Sequence, residues 1–147
     1  MTQKSWRHWK PEIVVGWIDS FAEQGITNIK IADEMPDPRQ INKICDLIIQ
    51  RGYGGQLNMW CYDRVDTANP RRYEKMRKAG IRWIALGIEA ADANVRQNVD
   101  KGKFGEERIF QAVQWAHQAG INVIANYIFG LPEDDIASMQ RTLDLSV

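Results

Sequence analysis

The chain has 147 residues, the length of one average domain, and its apolar share of 44% and charged share of 26% exclude a disordered protein. Its 19 basic residues balance 19 acidic ones, so no net charge favours nucleic acid or an anionic membrane as a partner. The sequence has no apolar run long enough to span a membrane, and its 2 cysteines are too few for a disulfide scaffold. We therefore expect a single domain over residues 1–147, working in the reducing cytoplasm.

Apolar residues recur at helical spacing in several segments of the chain. The predicted helices cover residues 11–24, 38–52, 70–80, 92–100 and 106–119, and a last helix begins near Glu133 and continues to the end of the chain. Two helices start at Asp37-Pro38 and Asn69-Pro70, where a capping side chain precedes a proline at the first helical position. Glycines end several of these helices, and an apolar run rich in β-branched residues follows each of those glycines.

These apolar runs predict strands over about residues 27–33, 57–63, 82–88 and 121–129. The runs are apolar on both faces, which is typical of parallel strands covered by helices. The predicted fold class is therefore α/β, a partial TIM-like barrel of four parallel strands with covering helices. The first helix has no strand before it and the last has none after it, so we expect a segment of a larger domain. The alternative is a small open sheet that is complete as it stands.

Polar residues follow each predicted strand, at the end where the sites of β/α barrels lie. In chain order these residues are Asp33, Glu34, Arg64, Glu89 and Asn126, and alternation places the apolar Ile128 on the same strand face as Asn126. Alternation along the strands places Glu89 and Asn126 on the inner face and Asp63 towards the helices. An inward carboxylate requires a partner, which favours a ligand at Glu89. Carboxylates suit an amine or ribose hydroxyls and arginine suits a carboxylate, so the rim fits a ligand with an amino acid and a ribose. For Asp33 and Glu34, a role in strand-end capping and surface ion pairs is equally well supported.

Other chemistries receive less support from the sequence. Cys45 and Cys61 are predicted to be buried thiols rather than nucleophiles or metal ligands, and we expect no metal site and no catalytic side chain within the chain. Lys30 is predicted to face the helices, which argues against an aldolase-like lyase because such an enzyme needs a lysine at a strand end. No phosphate loop or dinucleotide glycine fingerprint follows any strand.

Seven short strings are ordered along nearly the whole chain, at residues 32–34, 44–48, 60–66, 74–80, 86–89, 101–102 and 128–132. Together they resemble motifs of the radical S-adenosylmethionine (radical SAM) superfamily. The most similar subgroup comprises enzymes that often carry an amino-terminal cobalamin-binding domain. The resemblance implies a (β/α)6 partial barrel, of which this chain is the first helix and the second to fifth β/α units.

The resemblance also implies a role for each residue of the predicted rim. The pair Asp33-Glu34 would meet the amino group of S-adenosylmethionine, and Arg64 would approach its carboxylate. Glu89 would meet the ribose hydroxyls, and Asn126 and Ile128 would pack near the adenine. S-adenosylmethionine is thus the small-molecule partner that the resemblance implies.

The sequence departs from the family pattern in one defining feature. The CxxxCxxC loop, whose thiolates hold a 4Fe–4S cluster, is absent, and Cys45 and Cys61 do not replace it. Residues 89–92 and 132–134 also differ from the usual loops. The implied function is a part of a radical SAM enzyme that reductively cleaves S-adenosylmethionine to a 5′-deoxyadenosyl radical. The rest of a parent polypeptide would supply the cluster ligands and any cobalamin site, so the segment alone is expected to be inactive. The alternative is a non-catalytic α/β module that binds a protein partner through its open edges.

Overall fold

The computed structural model describes residues 9–33, 37–97 and 104–147, in which helices and strands alternate. The first half contains α1 (Pro11–Glu23), β1 (Asn28–Ile31), α2 (Pro38–Arg51), β2 (Asn58–Arg64) and α3 (Pro70–Lys78). The second half contains β3 (Ile81–Glu89), α4 (Ala93–Gln97), α5 (Glu106–Gln118), β4 (Asn122–Tyr127) and α6 (Ile136–Ser146). Each predicted strand is present, although β1 and β4 are shorter than predicted.

The sheet topology identifies the architecture as a segment of barrel wall. The four strands lie in the order β1-β2-β3-β4, and every neighbouring pair is parallel. Right-handed crossovers between consecutive parallel strands place their helices on the same face of the sheet. A doubly wound fold would instead reverse the strand order and carry helices on both faces. The fold is therefore α/β, a partial TIM-like barrel of four parallel strands with flanking helices.

The core lies between the sheet and the helices. On β2 the helix-facing residues Met59 and Cys61 are fully buried, and on β3 Ile84 and Leu86 are fully buried. Cys45 of α2 packs in the same cluster. Burial raises the pKa of the Cys45 thiol to about 12 and also raises the pKa of Cys61, so both are inert at neutral pH.

Local sequence signals start α2 and α3 and close the junction after α3 as expected. Asp37 accepts a hydrogen bond of 2.8 Å from the Arg39 backbone N–H, and Asn69 accepts one of 2.9 Å from that of Arg72. Gly80 between α3 and β3 has a φ of 96°, and a Cβ there would lie 2.6 Å from the Leu57 Cβ. This close approach, together with the left-handed backbone, requires glycine at the junction.

The last helix begins at Ile136, which corrects the predicted start near Glu133. Glu133 has a left-handed backbone with a φ of 68°, so it belongs to the preceding turn. Asp135 caps the helix by accepting a 2.7 Å bond from the Ser138 backbone N–H, and the Ser138 hydroxyl accepts one from the Asp135 N–H in return. The predicted short helix over 92–100 is observed as α4, and residues 98–100 lie outside the described residues.

The prediction that Lys30 faces the helices is wrong. Ile29 and Ile31 of β1 pack against the core, so alternation turns Lys30 to the opposite, open face of the sheet. There its ammonium nitrogen lies 4.4 Å from the ring centroid of Trp60.

None of the helices in the described part of the chain has the length and apolar character needed to cross a membrane.

Candidate functional site

A cleft of about 230 Å³ opens at the carboxyl ends of β2, β3 and β4. Its lining residues come from all three strands and the segments that follow them: Tyr62, Asp63, Arg64, Val65, Asp66, Gly87, Glu89, Phe104, Asn126 and Ile128. Complete ligand pockets usually enclose roughly 300–1,000 Å³. The cleft is therefore large enough for one side of a small-molecule site.

Glu89 lines the cleft and is almost fully buried, with 5% of its surface exposed. Its φ of 69° lies in the left-handed region, which costs a non-glycine residue on the order of 1–3 kcal/mol. The register between β3 and β4 shifts between Gly87 and Glu89, a bulge of the kind that often re-aims a side chain beside a site. Strain and a bulge at one buried carboxylate favour a functional role for it.

Gly87 makes room for this carboxylate. A Cβ at Gly87 would lie 2.8 Å from the Glu89 Oε1, closer than two nonbonded atoms of this kind approach. The β4 strand holds Glu89 from the other side, since the Ile128 backbone N–H donates a 2.7 Å hydrogen bond to the Glu89 carbonyl. The space at Gly87 on the same strand and the hydrogen bond from the β4 side thus fix the position of Glu89.

Arg64 lies on the same wall and already has an acidic partner. Its Nε and Nη2 donate to the two carboxylate oxygens of Asp66 at 2.9 and 2.6 Å. This bidentate pair raises the pKa of Arg64 and lowers the pKa of Asp66. Glu89 adds a smaller electrostatic contribution to the raised pKa of Arg64. Asp66 therefore already engages the Arg64 guanidinium, which any further carboxylate would have to share.

A buried ion pair anchors the strand that carries Arg64. The Asp63 carboxylate turns to the helix side, where the Arg72 Nη1 donates to its two oxygens at 2.9 and 2.8 Å. Both side chains are almost fully buried, with 3% of Arg72 and 2% of Asp63 exposed. The pair connects the end of β2 to the first turn of α3, so Arg64 projects from a fixed backbone. The predicted helix-facing position of Asp63 is confirmed.

A second buried arginine holds the loop that follows Glu89. Arg96 of α4 has no exposed surface and donates to the carbonyls of Ala90, Ala91 and Phe104. Its burial lowers the pKa of the guanidinium. Because Phe104 lines the cleft, this arginine connects two segments of the cleft wall.

Four of the six residues predicted from the sequence meet in this cleft: Arg64, Glu89, Asn126 and Ile128. Asp33 is half-buried two residues beyond β1 and is not among the described residues that line the cleft. Glu34 lies outside the described residues. The Arg64–Asp66 pair was not predicted, although two opposite charges two positions apart after a strand are a visible signal. Phe104 was not predicted either, and the sequence around it carries no such signal.

The described residues do not fit an iron–sulfur cluster. They contain no group of three or more histidine, cysteine or acidic side chains that could hold a metal ion. Cys45 and Cys61 are buried on the helix side of the sheet, away from the cleft, with raised pKa values that disfavour the thiolate that a cluster requires.

The model of the family described as "Radical SAM superfamily" matches residues 2–146 of the chain. The chain belongs to the radical SAM superfamily. The chain is also 25% identical over 144 residues to an uncharacterized methyltransferase of Pyrococcus horikoshii, a match that covers 95% of this chain and 30% of that protein.

Solved radical SAM structures share the fold of this chain. The methyltransferase TsrM of Kitasatospora setae, solved with its tryptophan substrate and a SAM analogue, matches 91% of this chain with a TM-score of 0.80 and 17% identity. The cobalamin-dependent SAM radical enzyme OxsB, solved with aqua-cobalamin and S-adenosylmethionine, matches 97% with a TM-score of 0.76 and 19% identity. The radical SAM chain spans 30% of the Pyrococcus protein, 27% of TsrM and 23% of OxsB.

Proposed function

We propose that the cleft binds S-adenosylmethionine and that this chain contributes this binding site to a radical SAM enzyme. The observation that carries the proposal is the buried carboxylate of Glu89, held in a strained backbone beside Arg64 on the wall of an open cleft. Membership of the superfamily and the shared fold of enzymes solved with S-adenosylmethionine or an analogue support it.

The cleft residues match the parts of this ligand. The Glu89 carboxylate accepts hydrogen bonds from the ribose hydroxyls, and Arg64 donates to the methionine carboxylate in competition with Asp66. Asn126 and Ile128 offer one polar and one apolar contact to the adenine. We assign the amino group of the ligand to the pair Asp33-Glu34 after β1, following the family motif.

Bound S-adenosylmethionine supplies a sulfonium whose carbon–sulfur bonds are activated for cleavage. The part of this chain is to orient that ligand and to exclude water around it. We further infer that the chain is the first helix and the second to fifth β/α units of a (β/α)6 barrel. In this proposal a parent polypeptide holds the 4Fe–4S cluster, and cobalamin where it is used, outside these 147 residues.

Binding of S-adenosylmethionine to the 147-residue chain tests the assignment of Glu89. We expect weak, saturable binding by isothermal titration calorimetry, and about tenfold or more weakening in Glu89→Gln, since a hydrogen bond to a charged group contributes about 1.5–3 kcal/mol. The matched control is Glu107→Gln on the exposed surface of α5, which should bind like the parent chain.

Equal affinity in the Glu89→Gln and parent chains would contradict the assignment. The same preparation, supplied with a strong reductant, should form no 5′-deoxyadenosine because it lacks the three cysteines of the cluster loop. Robust cleavage by the chain alone would refute the division of labour between this chain and a parent polypeptide.

A non-catalytic interaction module is the second candidate function, and an exposed apolar stripe favours it. Ile13, Trp17 and Phe21 follow one another at four-residue spacing along α1, and each is at least 40% exposed. This candidate predicts tight binding of a protein partner that is unchanged in Glu89→Ala and Arg64→Ala. The test is a comparison of those two variants in both partner binding and S-adenosylmethionine binding.

A further inference from the structure

We propose that the open face of the sheet below the cleft is a subsite for a planar aromatic ring that carries a carboxylate. Its role as a substrate subsite rests on the proposed function, whereas the binding itself does not. The observations are the arrangement of two tryptophans, a tyrosine and a lysine on the face that the helices leave uncovered.

Strand register places these side chains in one row across the sheet. Lys30 of β1 is opposite Trp60 of β2, Trp60 is opposite Trp83 of β3, and Trp83 is opposite Asn122 of β4. Residues directly opposite in a sheet share a face, so the row forms a continuous aromatic and polar strip. We call Lys30, Trp60, Tyr62 and Trp83 the aromatic platform.

The platform is continuous with the cleft. Tyr62 lies one inward-facing position above Trp60 and also lines the cleft, and its ring centroid is 5.5 Å from that of Trp60. Inward-facing positions along one strand are about 6.6 Å apart, so Trp60 lies about 13 Å along β2 from Arg64. A ligand on the platform would therefore lie next to a ligand in the cleft rather than in its place.

The platform combines one cation with accessible ring surface. The Lys30 ammonium nitrogen lies 4.4 Å from the ring centroid of Trp60 and 5.5 Å from that of Tyr62. Among the described residues, 9–33, 37–97 and 104–147, the Lys30 ammonium contacts these two rings, whereas Lys75 and Arg64 each pair with a carboxylate. Trp83 is 41% exposed. An anion can therefore reach Lys30 without displacing a protein carboxylate.

These features select the chemistry of the ligand. The exposed indole of Trp83 favours a flat ring that stacks on it. A cationic ligand is disfavoured because it would meet the Lys30 ammonium beside the rings of Trp60 and Tyr62, whereas a carboxylate can pair with that ammonium. One cation on a platform of three rings matches one carboxylate on an aromatic ring and does not match a polyanion.

The test uses the 147-residue chain with indole-3-acetate as the probe, and indole and acetate as the two single-feature controls. In ¹⁵N NMR spectra we expect indole-3-acetate to shift the side-chain N–H signals of Trp60 and Trp83 in a saturable way. The signal of Trp17 on α1 should stay in place. Phenylalanine substitutions at Trp60 and Trp83 assign the two signals.

Lys30→Met should weaken the binding of indole-3-acetate by about tenfold and leave the binding of uncharged indole unchanged. Lys30→Arg should restore the binding, and Lys43→Met on the exposed surface of α2 should match the parent chain. Because Lys30 is exposed, these substitutions leave the core intact. Absence of a saturable shift, equal affinity in Lys30→Met, or equal shifts at Trp17 would overturn the proposal.

Glu89→Gln separates this proposal from the proposed function. It should weaken the binding of S-adenosylmethionine and leave indole-3-acetate binding unchanged. If S-adenosylmethionine fails to bind while indole-3-acetate shows the Lys30-dependent pattern, the cleft assignment is wrong and the aromatic platform stands. The reverse result overturns the platform alone.

Discussion

Gly87 and Glu89 show how a residue without a side chain positions one with a charge. The Glu89 Oε1 occupies the space that a Cβ at Gly87 would need, at 2.8 Å. Both residues line the cleft, two positions apart on β3, and the register with β4 shifts between them. The backbone of Glu89 is strained at the same point, with a φ of 69°.

Gly87→Ala should therefore move the Glu89 carboxylate while the fold is retained. The atom displaced is the end of a flexible side chain, so the urea midpoint should change little. We expect S-adenosylmethionine binding to weaken about tenfold, as in a loss of one charge-assisted hydrogen bond. Gly55→Ala is the control, because a Cβ at Gly55 meets nothing within 4 Å. Unchanged affinity in Gly87→Ala would show that the Glu89 position does not govern binding.

At the scale of secondary-structure elements, the Asp63–Arg72 pair fixes β2 against α3. Taking two charges out of water is costly, and the pair offsets this cost only while both partners remain. Desolvation by burial acts to lower the pKa of Arg72, but the charge and hydrogen bonds of Asp63 contribute to a net raised pKa, so the guanidinium stays charged in the interior. The ion pair therefore contributes to the position of β2 in the sheet and, through it, of Arg64.

Arg72→Met should destabilise the chain by about 3–5 kcal/mol, because it leaves the Asp63 carboxylate buried without its partner. The measurement is the free energy of unfolding from urea denaturation followed by circular dichroism. Arg39→Met provides the control, since Arg39 pairs with Asp37 but its side chain is 89% exposed. That variant should keep the parent midpoint. Equal losses in both variants would mean that burial does not determine the strength of the pair.

At the scale of the whole molecule, the helix side and the open side of the sheet differ in chemistry. The helix side contains a cluster of buried protic groups, Cys45, Cys61 and Tyr73, and burial raises the pKa of all three. The open side presents the cleft and the aromatic platform. One face of the sheet thus holds the fold together and the other is available for ligands.

The buried thiols predict that stability falls at alkaline pH. The pKa of Cys45 is about 12 in the folded chain against an ordinary value of 9.0, so above pH 9 the unfolded chain loses the proton that the folded chain retains. The contribution of this group is fully present below pH 9.0 and decreases as pH rises towards about 12. The parent chain should therefore show a lower urea midpoint at high pH.

Cys45→Ala removes the contribution of this thiol to the pH dependence of the free energy of unfolding. Its unfolding free energy should decline less steeply with pH than that of the parent chain, by at most about 1.4 kcal/mol per pH unit. Urea titrations at a series of pH values measure both slopes. Identical slopes in the two chains would show that Cys45 ionises equally in the folded and unfolded states.

The sequence alone determined the elements whose signals are local. Proline after a capping residue, glycine at a helix end and apolar runs fixed α2, α3 and the four strands, because each of these signals acts within a few residues. Alternation also placed Glu89 inward and Asp63 towards the helices, since its period of two holds along a single strand. The start of α6 was missed although its capping residues Asp135 and Ser138 are local, because the acidic run 133–135 offers several candidate caps.

Tertiary structure alone decided which side chains meet. The face of Lys30 depends on which residues of the short strand β1 reach the core. The bulge at Glu89 and the row from Lys30 to Trp83 depend on strand register, which joins residues far apart in the chain. Such register is set by the packing of the assembled sheet and leaves no signal in any single segment.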